Sequence, residues 1–454
     1  MAISISLFFV SVPLAILRNI ANFILEQKIF FFKYFMLLFC NKYANIKEKV
    51  MIINFLVKNF KSINNEINLS FEAVDSEMDR YYTYKSNKEK ILKIAMIYGA
   101  NASGKTNILK ALYFLVQFIL NSPKQKDETI DITPFLFTDN IFPNSYFKIE
   151  FLIDDIKYLY QLELSSEKVI NEKLYYYNPN RALVFDKANF KFGSKIKISK
   201  SQKEALFNNT LYNNSLLSGY LKTNINIKEF DNAIRWFKKV LPPIFPKTDL
   251  VAFAVNTLEK KSLDKDFILD ILQNADFEID DYEIKKSEVD SEIIDILKQI
   301  GKEESDLKKL EIFFTHLKKY RLEYNEESSG TQRYYQLSIM LALLLKESLI
   351  LPIDELEASL HPDLLKHFIL SFLVNSKKSQ LIFTTHSREL LLEKDMLRQD
   401  TIWFTQKNPK GATELFSVSD FDTTIIRKES SLYNAYKSGK FGAVPNLKDY
   451  FLDI

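Results

Sequence analysis

Hydrophobic and polar positions change period several times along the chain, and each change predicts an element. Ile91–Tyr98 is almost wholly apolar, the pattern of a strand covered on both faces. After a short break, Thr106–Leu120 places Ile108, Leu109, Leu112, Leu115, Val116 and Ile119 at helical spacing. Upstream, Ile52–Val57 and Ile67–Phe71 read as strands joined by a turn at Asn59-Phe60-Lys61-Ser62, and polar Asp75–Lys90 reads as loop. Asn121–Thr133 is a polar connection. Tyr146–Ile153, Tyr158–Leu164 and Val169–Tyr177 then alternate apolar and polar residues, which predicts an antiparallel lobe.

From about residue 200 to 309 the period returns to that of helices. Phe230, Ile234, Phe237 and Leu241 recur on one face, and Pro242-Pro243 ends the run. Phe267–Leu272 and Ile293–Ile300 look helical too, so this stretch is read as an inserted helical subdomain. Leu310–Phe314 and Tyr320–Tyr324 predict a hairpin leading back. A helix opening near Ser329 carries Leu337, Met340, Leu341 and Leu344. Leu349–Ile353 is a short buried strand, a helix runs to about Leu373, and Gln380–Thr385 is another buried strand. Strand, helix, strand of these lengths predicts a parallel sheet and an α/β fold.

Composition agrees with a folded chain: 454 residues, 47% hydrophobic and 26% charged. The net charge is +3, and residues 1–50 hold six Lys/Arg against two Asp/Glu, so the rest is nearly neutral and lacks a bulk basic footprint for nucleic acid. The single cysteine, Cys40, excludes a disulfide framework or cysteine metal site in the body and fits a reducing, cytoplasmic compartment. Residues 1–50 differ from the rest. Their apolar runs, Ile3–Leu17 and Ile29–Phe39, are shorter than the ~20 residues of a spanning helix. Three readings stay open for them: translated sequence upstream of a functional start at Met51, an interfacial membrane anchor, or an extra packed helical hairpin.

Between the predicted strand and helix lies Gly99-Ala100-Asn101-Ala102-Ser103-Gly104-Lys105-Thr106, which fits G-x-x-x-x-G-K-[ST]. Backbone N–H groups running into a helix N-terminus surround phosphate oxygens, and glycine admits that approach. Lys105 supplies a point charge to the β- and γ-phosphates, and the Thr106 hydroxyl a ligand for Mg²⁺. With only 9 glycines in the chain, a chance match is improbable. The buried Leu349–Ile353 strand ends in Asp354-Glu355. Paired acids there are costly unless used. Asp354 suits a Mg²⁺-holding carboxylate and Glu355 a base that orients the attacking water.

Glu327-Ser328-Ser329-Gly330-Thr331-Gln332-Arg333 looks like the signature motif of ABC-type ATPases. Asp354-Glu355 looks like their Walker B pair, Ser359-Leu360-His361 like their D-loop, and His386 like their switch histidine. With MIINFLVKNFKSI, GANASGKTNILKAL, IDELEASLHP, IFTTHS and YKSGKFGAVP near the end, the chain from about residue 51 to 454 resembles bacterial AAA-annotated ABC ATPases of the abortive-infection and anti-phage (OLD/SMC-like) group. The resemblance implies an ABC-type P-loop ATPase head: an N-lobe at 51–199, the helical insert at 200–309 and a C-lobe at 310–454. It further implies ATP and Mg²⁺ as cofactors, and a homodimer or higher homo-oligomer that sandwiches ATP head to tail. Gly99, Asn101, Ala102, Ser103, Gly104, Lys105 and Thr106 of one copy would bind nucleotide. Asp354 would join Thr106 on the metal, and Glu355 and His386 would be catalytic. Ser329 and Gly330 of the other copy would complete the site. The signature departs from Leu-Ser-Gly-Gly-Gln, and Gln161 is the one weak candidate for a Q-loop glutamine. OLD-like relatives carry a C-terminal nuclease, for which the tail after His386 is short, so a nuclease effector would be a separate protein. The expected role is an ATPase switching such an effector in anti-phage defence. Rival roles are an SMC-like DNA-processing ATPase, for which nucleic acid would be a ligand, and a non-catalytic ATP-dependent scaffold. A membrane partner is not expected. His316, His367, Trp236 and Trp403 are read as packing or surface residues.

Overall fold

A computed structural model describes residues 49–86, 89–139, 142–246, 248, 263–288, 308–393, 396–421 and 432–441. The extension at 1–48, the Ile293–Ile300 helix and the end of the YKSGKFGAVP string lie outside them. The strands in chain order are β1 (Val50–Lys58), β2 (Ile67–Ser70), β3 (Thr83–Lys85), β4 (Lys90–Leu92), β5 (Ile94–Gly99), β6 (Ser145–Ile153), β7 (Ile156–Leu164), β8 (Val169–Tyr177), β9 (Arg181–Asp186), β10 (Lys191–Phe192), β11 (Asp281–Glu288), β12 (Lys308–His316), β13 (Tyr320–Glu323), β14 (Ile350–Ile353), β15 (Gln380–Thr385), β16 (Ile402–Lys407) and β17 (Thr413–Ser417).

Two sheets position the site. One is antiparallel, ordered β10-β9-β8-β7-β6-β1-β2. The other is ordered β14-β15-β5-β16-β17, with parallel pairing throughout except between β16 and β17. Strand β5 is buried along its whole length because both of its faces are packed. Ala95 and Ile97 face the core shared with the antiparallel sheet, and Ile94, Met96 and Tyr98 face a second core. The Lys105–Leu120 helix lies in the first core and buries Ile108, Leu109, Leu112, Leu115, Val116 and Ile119, the face its spacing predicts. At about 1.5–3 kcal/mol per buried aliphatic side chain, packing fixes this helix far more firmly than the loop before it could. The Ser329–Lys346 and Pro362–Asn375 helices fill the second core.

The sheets are joined through Gln380. Its Oε1 accepts from the Ile52 N–H at 2.5 Å, and its Nε2 donates to the carbonyls of Ile52 at 3.0 Å and Leu92 at 2.9 Å. The β1–β6 register shifts at Ile52, where an irregular ladder leaves backbone groups for a side chain to satisfy.

Three expectations need correction. Ile91–Tyr98 is not one strand but β4 and β5, broken at Lys93. Lys93 is buried and its Nζ donates to the carbonyls of Leu373 at 2.8 Å and Ser376 at 2.7 Å, so it serves the end of the Pro362–Asn375 helix; burial pushes its pKa down to about 8. Polar Asp75–Lys90 contains a short helix, Asp79–Tyr82, and β3, which pairs with β4. The stretch 200–309 is not all helical: β11 pairs with β12, and β12 with β13, in a separate antiparallel sheet. Its helix at Lys228–Lys238 packs on the antiparallel lobe, with Trp236 stacked 4.3 Å from Phe151.

Candidate nucleotide-binding site

Chain order brings the predicted residues to one edge. Gly99 ends β5, Asp354 follows β14 and His386 follows β15. These three strands are neighbours and parallel, so their carboxyl ends open side by side, where ligands bind in open α/β sheets.

The phosphate loop enters the Lys105–Leu120 helix through Gly104, whose φ of +105° is left-handed. A Cβ there would lie 2.0 Å from Thr413 Oγ1 and 2.9 Å from Ser62 Oγ, so both conformation and space require glycine. Ala102 also has positive φ, and Asn101 and Ala102 are exposed at the loop tip. Ser103 is buried, and its Oγ lies 2.6 Å from Thr405 Oγ1. Lys105 turns back into the loop: Nζ donates to the carbonyls of Gly99 at 2.9 Å and Ala100 at 3.1 Å and lies 3.0 Å from His386 Nε2. Burial pushes Lys105 down to about 8, against the pull of Asp354, Glu355 and Glu357. Burial, then Lys105, holds His386 below the usual histidine range. A neutral ring that accepts from Lys105 at Nε2 carries its proton on Nδ1, a tautomer assigned from the bonding.

On the other side, Thr106 Oγ1 donates to Asp354 Oδ1 at 3.1 Å and Oδ2 at 3.0 Å. Thr384 Oγ1 donates to Asp354 Oδ1 at 2.7 Å and accepts the Glu355 N–H at 2.8 Å. Glu355 is held with φ +49°, a conformation uncommon outside glycine, and its Oε1 lies 3.9 Å from His386 Nε2. A hydroxyl and a carboxylate meeting beside a lysine and a chain of loop N–H groups form an oxygen donor set suited to Mg²⁺ carrying phosphates. The residues therefore fit a metal–nucleotide pair, with Thr106 and Asp354 for the metal and Gly99–Thr106 for the phosphates.

Ser329 and Gly330 stand elsewhere. Ser328 caps their helix by accepting from the Thr331 N–H at 3.1 Å, which leaves Ser329 exposed on its first turn. A Cβ on Gly330 would lie 3.2 Å from the Ser359 carbonyl, so the signature and D-loop stretches adjoin. Among the described residues, neither Ser329 nor Gly330 hydrogen-bonds to the phosphate-loop cluster. Gln161 bonds the Tyr146 hydroxyl at 2.9 Å within the antiparallel sheet.

Several contributors escaped the sequence reading. The His386 N–H donates to Glu357 Oε1, tying His386 to the turn after the acidic pair. Thr405 and Thr413 are single hydroxyls on strands with no motif of their own, whereas Thr384 stands inside IFTTHS. Glu357 stood inside a quoted motif string and could have been found there.

A phosphate loop on a parallel sheet, an acidic pair and histidine on the adjoining strand ends and an antiparallel lobe alongside make a P-loop nucleotide-binding head of mixed α/β architecture. Residues 94–393, more than half of the chain, match the family model described as "AAA domain, putative AbiEii toxin, Type IV TA system", and the chain belongs to that family. No curated protein matches it. Among solved structures, the SMC head domain from Thermotoga maritima aligns at 12% identity with a TM-score of 0.38, over 81% of this chain and 98% of that one. An Smc head domain with an extended coiled coil, bound to the C-terminal domain of ScpA and derived from Pyrococcus furiosus, aligns at 13% and 0.37 over 86% and 99%. An SmcHead bound to the C-winged helix domain of ScpA aligns at 14% and 0.41 over 81% and 97%. No described helix is long and apolar enough to cross a membrane.

Proposed function

We propose that the chain hydrolyses ATP as a head-to-tail pair and uses the cycle to switch a separate effector in anti-phage defence. The observation that carries the reading is a division of parts. Lys105, Thr106, Asp354, Glu355 and His386 converge in one subunit, while Ser329 sits exposed at a helix start with no bond to them. A helix start with free N–H groups is a ready anion site, and a second copy can present it to the triphosphate.

In this reading the loop N–H groups and Lys105 bind the β- and γ-phosphates, and Lys105 exchanges its carbonyl partners for phosphate oxygens. Thr106 and Asp354 hold Mg²⁺, which when bound neutralises charge on the transferring phosphoryl group. Glu355, fixed by its N–H bond to Thr384, orients the water and draws its proton. His386 leaves Lys105 and turns Nε2 to the γ-phosphate, where an anionic neighbour favours its protonated, donating form. Ser329 and Gly330 of the second copy close the far side. The defence setting is supported by the family's description, "putative AbiEii toxin, Type IV TA system". We assign the 51–199, 200–309 and 310–454 segments as N-lobe, insert and C-lobe of one head.

The test is turnover and mass together. Lys105→Ala is expected to abolish ATP binding. Glu355→Gln is expected to bind ATP, lose turnover and accumulate as dimers. Turnover at the wild-type rate by either variant contradicts the assignment.

A further inference from the structure

We propose that Thr413 is a positioning residue that holds the phosphate loop in its nucleotide-ready shape. The inference rests on the ATP-binding reading above and concerns a strand outside every motif. Thr413 begins β17, is 1% exposed, and comes from the strand on the far side of β5 from β14, which precedes Asp354. Its Oγ1 donates to the Ser103 carbonyl at 2.9 Å, directly before the left-handed Gly104. The same oxygen lies 2.8 Å from Ser62 Oγ and accepts from Lys407 Nζ at 3.1 Å.

Ser62 belongs to the turn between β1 and β2, so the antiparallel lobe shares this contact. Its carbonyl accepts the Thr413 N–H at 2.7 Å, and its hydroxyl accepts from Asn107 Nδ2 at 2.6 Å, in the first turn of the phosphate-loop helix. Thr413 and Ser62 therefore fill the space on which a Gly104 side chain would intrude, and bond the residues on either side of it. A loop whose N–H groups must converge on phosphate gains affinity from being set in that shape before binding. The clamp acts on the loop backbone and not on the water or the acids, so it governs nucleotide affinity and leaves the chemical step alone.

Thr413→Val keeps the shape of the side chain and removes the hydroxyl. The expected result is a rise of about tenfold in the Kd and KM for MgATP, the worth of one buried hydrogen bond, with kcat within about twofold of wild type. Thr413→Ser is expected to restore both constants. Ser62→Ala, which removes the hydroxyl's bonds to Thr413 and Asn107 but keeps the main-chain bond to Thr413, is expected to raise KM by a smaller factor without lowering kcat and guards against a misfolded Val variant. A Thr413→Val protein with wild-type KM overturns the proposal while leaving the ATPase reading intact. A fall in kcat that Ser fails to rescue also overturns it. A wild-type protein that binds no MgATP overturns the ATPase reading and this proposal together.

Discussion

Thr384→Val tests whether one hydroxyl sets both halves of the hydrolytic machinery. Thr384 is fully buried on β15, and its Oγ1 donates to Asp354 Oδ1 at 2.7 Å while accepting the Glu355 N–H at 2.8 Å. Valine matches the shape, so packing survives and the two bonds do not. The bond to a carboxylate contributes about 1.5–3 kcal/mol and the bond from the amide about 1 kcal/mol. The second loss bears on Glu355, whose φ of +49° carries a conformational cost that this bond offsets. If half of the combined loss of about 2.5–4 kcal/mol falls on the transition state, kcat drops on the order of tenfold or somewhat more. The other half appears as weaker Mg²⁺ binding, a higher half-saturating Mg²⁺, and lower stability. The assay is phosphate release at saturating ATP across a Mg²⁺ titration, with Thr384→Ser as the control that keeps the hydroxyl. A Val variant with kcat and half-saturating Mg²⁺ both within twofold of wild type refutes the reasoning, because Asp354 and Glu355 would then be set by something else.

Two further outcomes follow from the same geometry. Lys105 is pushed down to about 8 in the free protein, and its charged form binds phosphate, so kcat/KM for ATP is expected to fall as pH rises through about 8, with kcat holding to higher pH because bound phosphates restore the charge. The same depression makes the unfolded chain bind more protons than the native one between about 8 and 10.5, so this lysine's contribution to stability improves, not worsens, across that window; a pH–rate profile with parallel calorimetry checks both signs. Gly104→Ala places a Cβ 2.0 Å from Thr413 Oγ1 at a left-handed φ, and is expected to raise the Kd for ATP by at least a hundredfold in equilibrium binding, well beyond the effect of Thr413→Val.

The parts of the site that carry a spacing were legible from residues alone. Gly99–Thr106 announces itself because a loop that cradles phosphate needs glycine and lysine at fixed offsets, and Asp354-Glu355 because acids seldom end a buried strand without use. Alternation exposed β6, β7 and β8, where one face meets the core and the other does not. Strand β11 hid because its alternation is short, with Tyr282 buried and Ile284 only partly covered. Lys93 hid a strand break, since its placement depends on a helix end almost three hundred residues away. Thr405 and Thr413 were illegible for a related reason, and Thr384 stood in IFTTHS without a role: a threonine in a strand is ordinary, and its meaning comes from the neighbour that folding supplies.

The central claim is that each site needs two copies, and mixing inactive variants tests it most directly. Lys105→Ala lacks a working loop, and Ser329→Arg blocks the helix start it would present to its partner. Mixed in equal amounts, they form heterodimers with one intact composite site, so turnover is expected to return to about a quarter of wild type with statistical pairing. A mixture as inactive as its components, or a Ser329→Arg protein that hydrolyses ATP alone, contradicts the account.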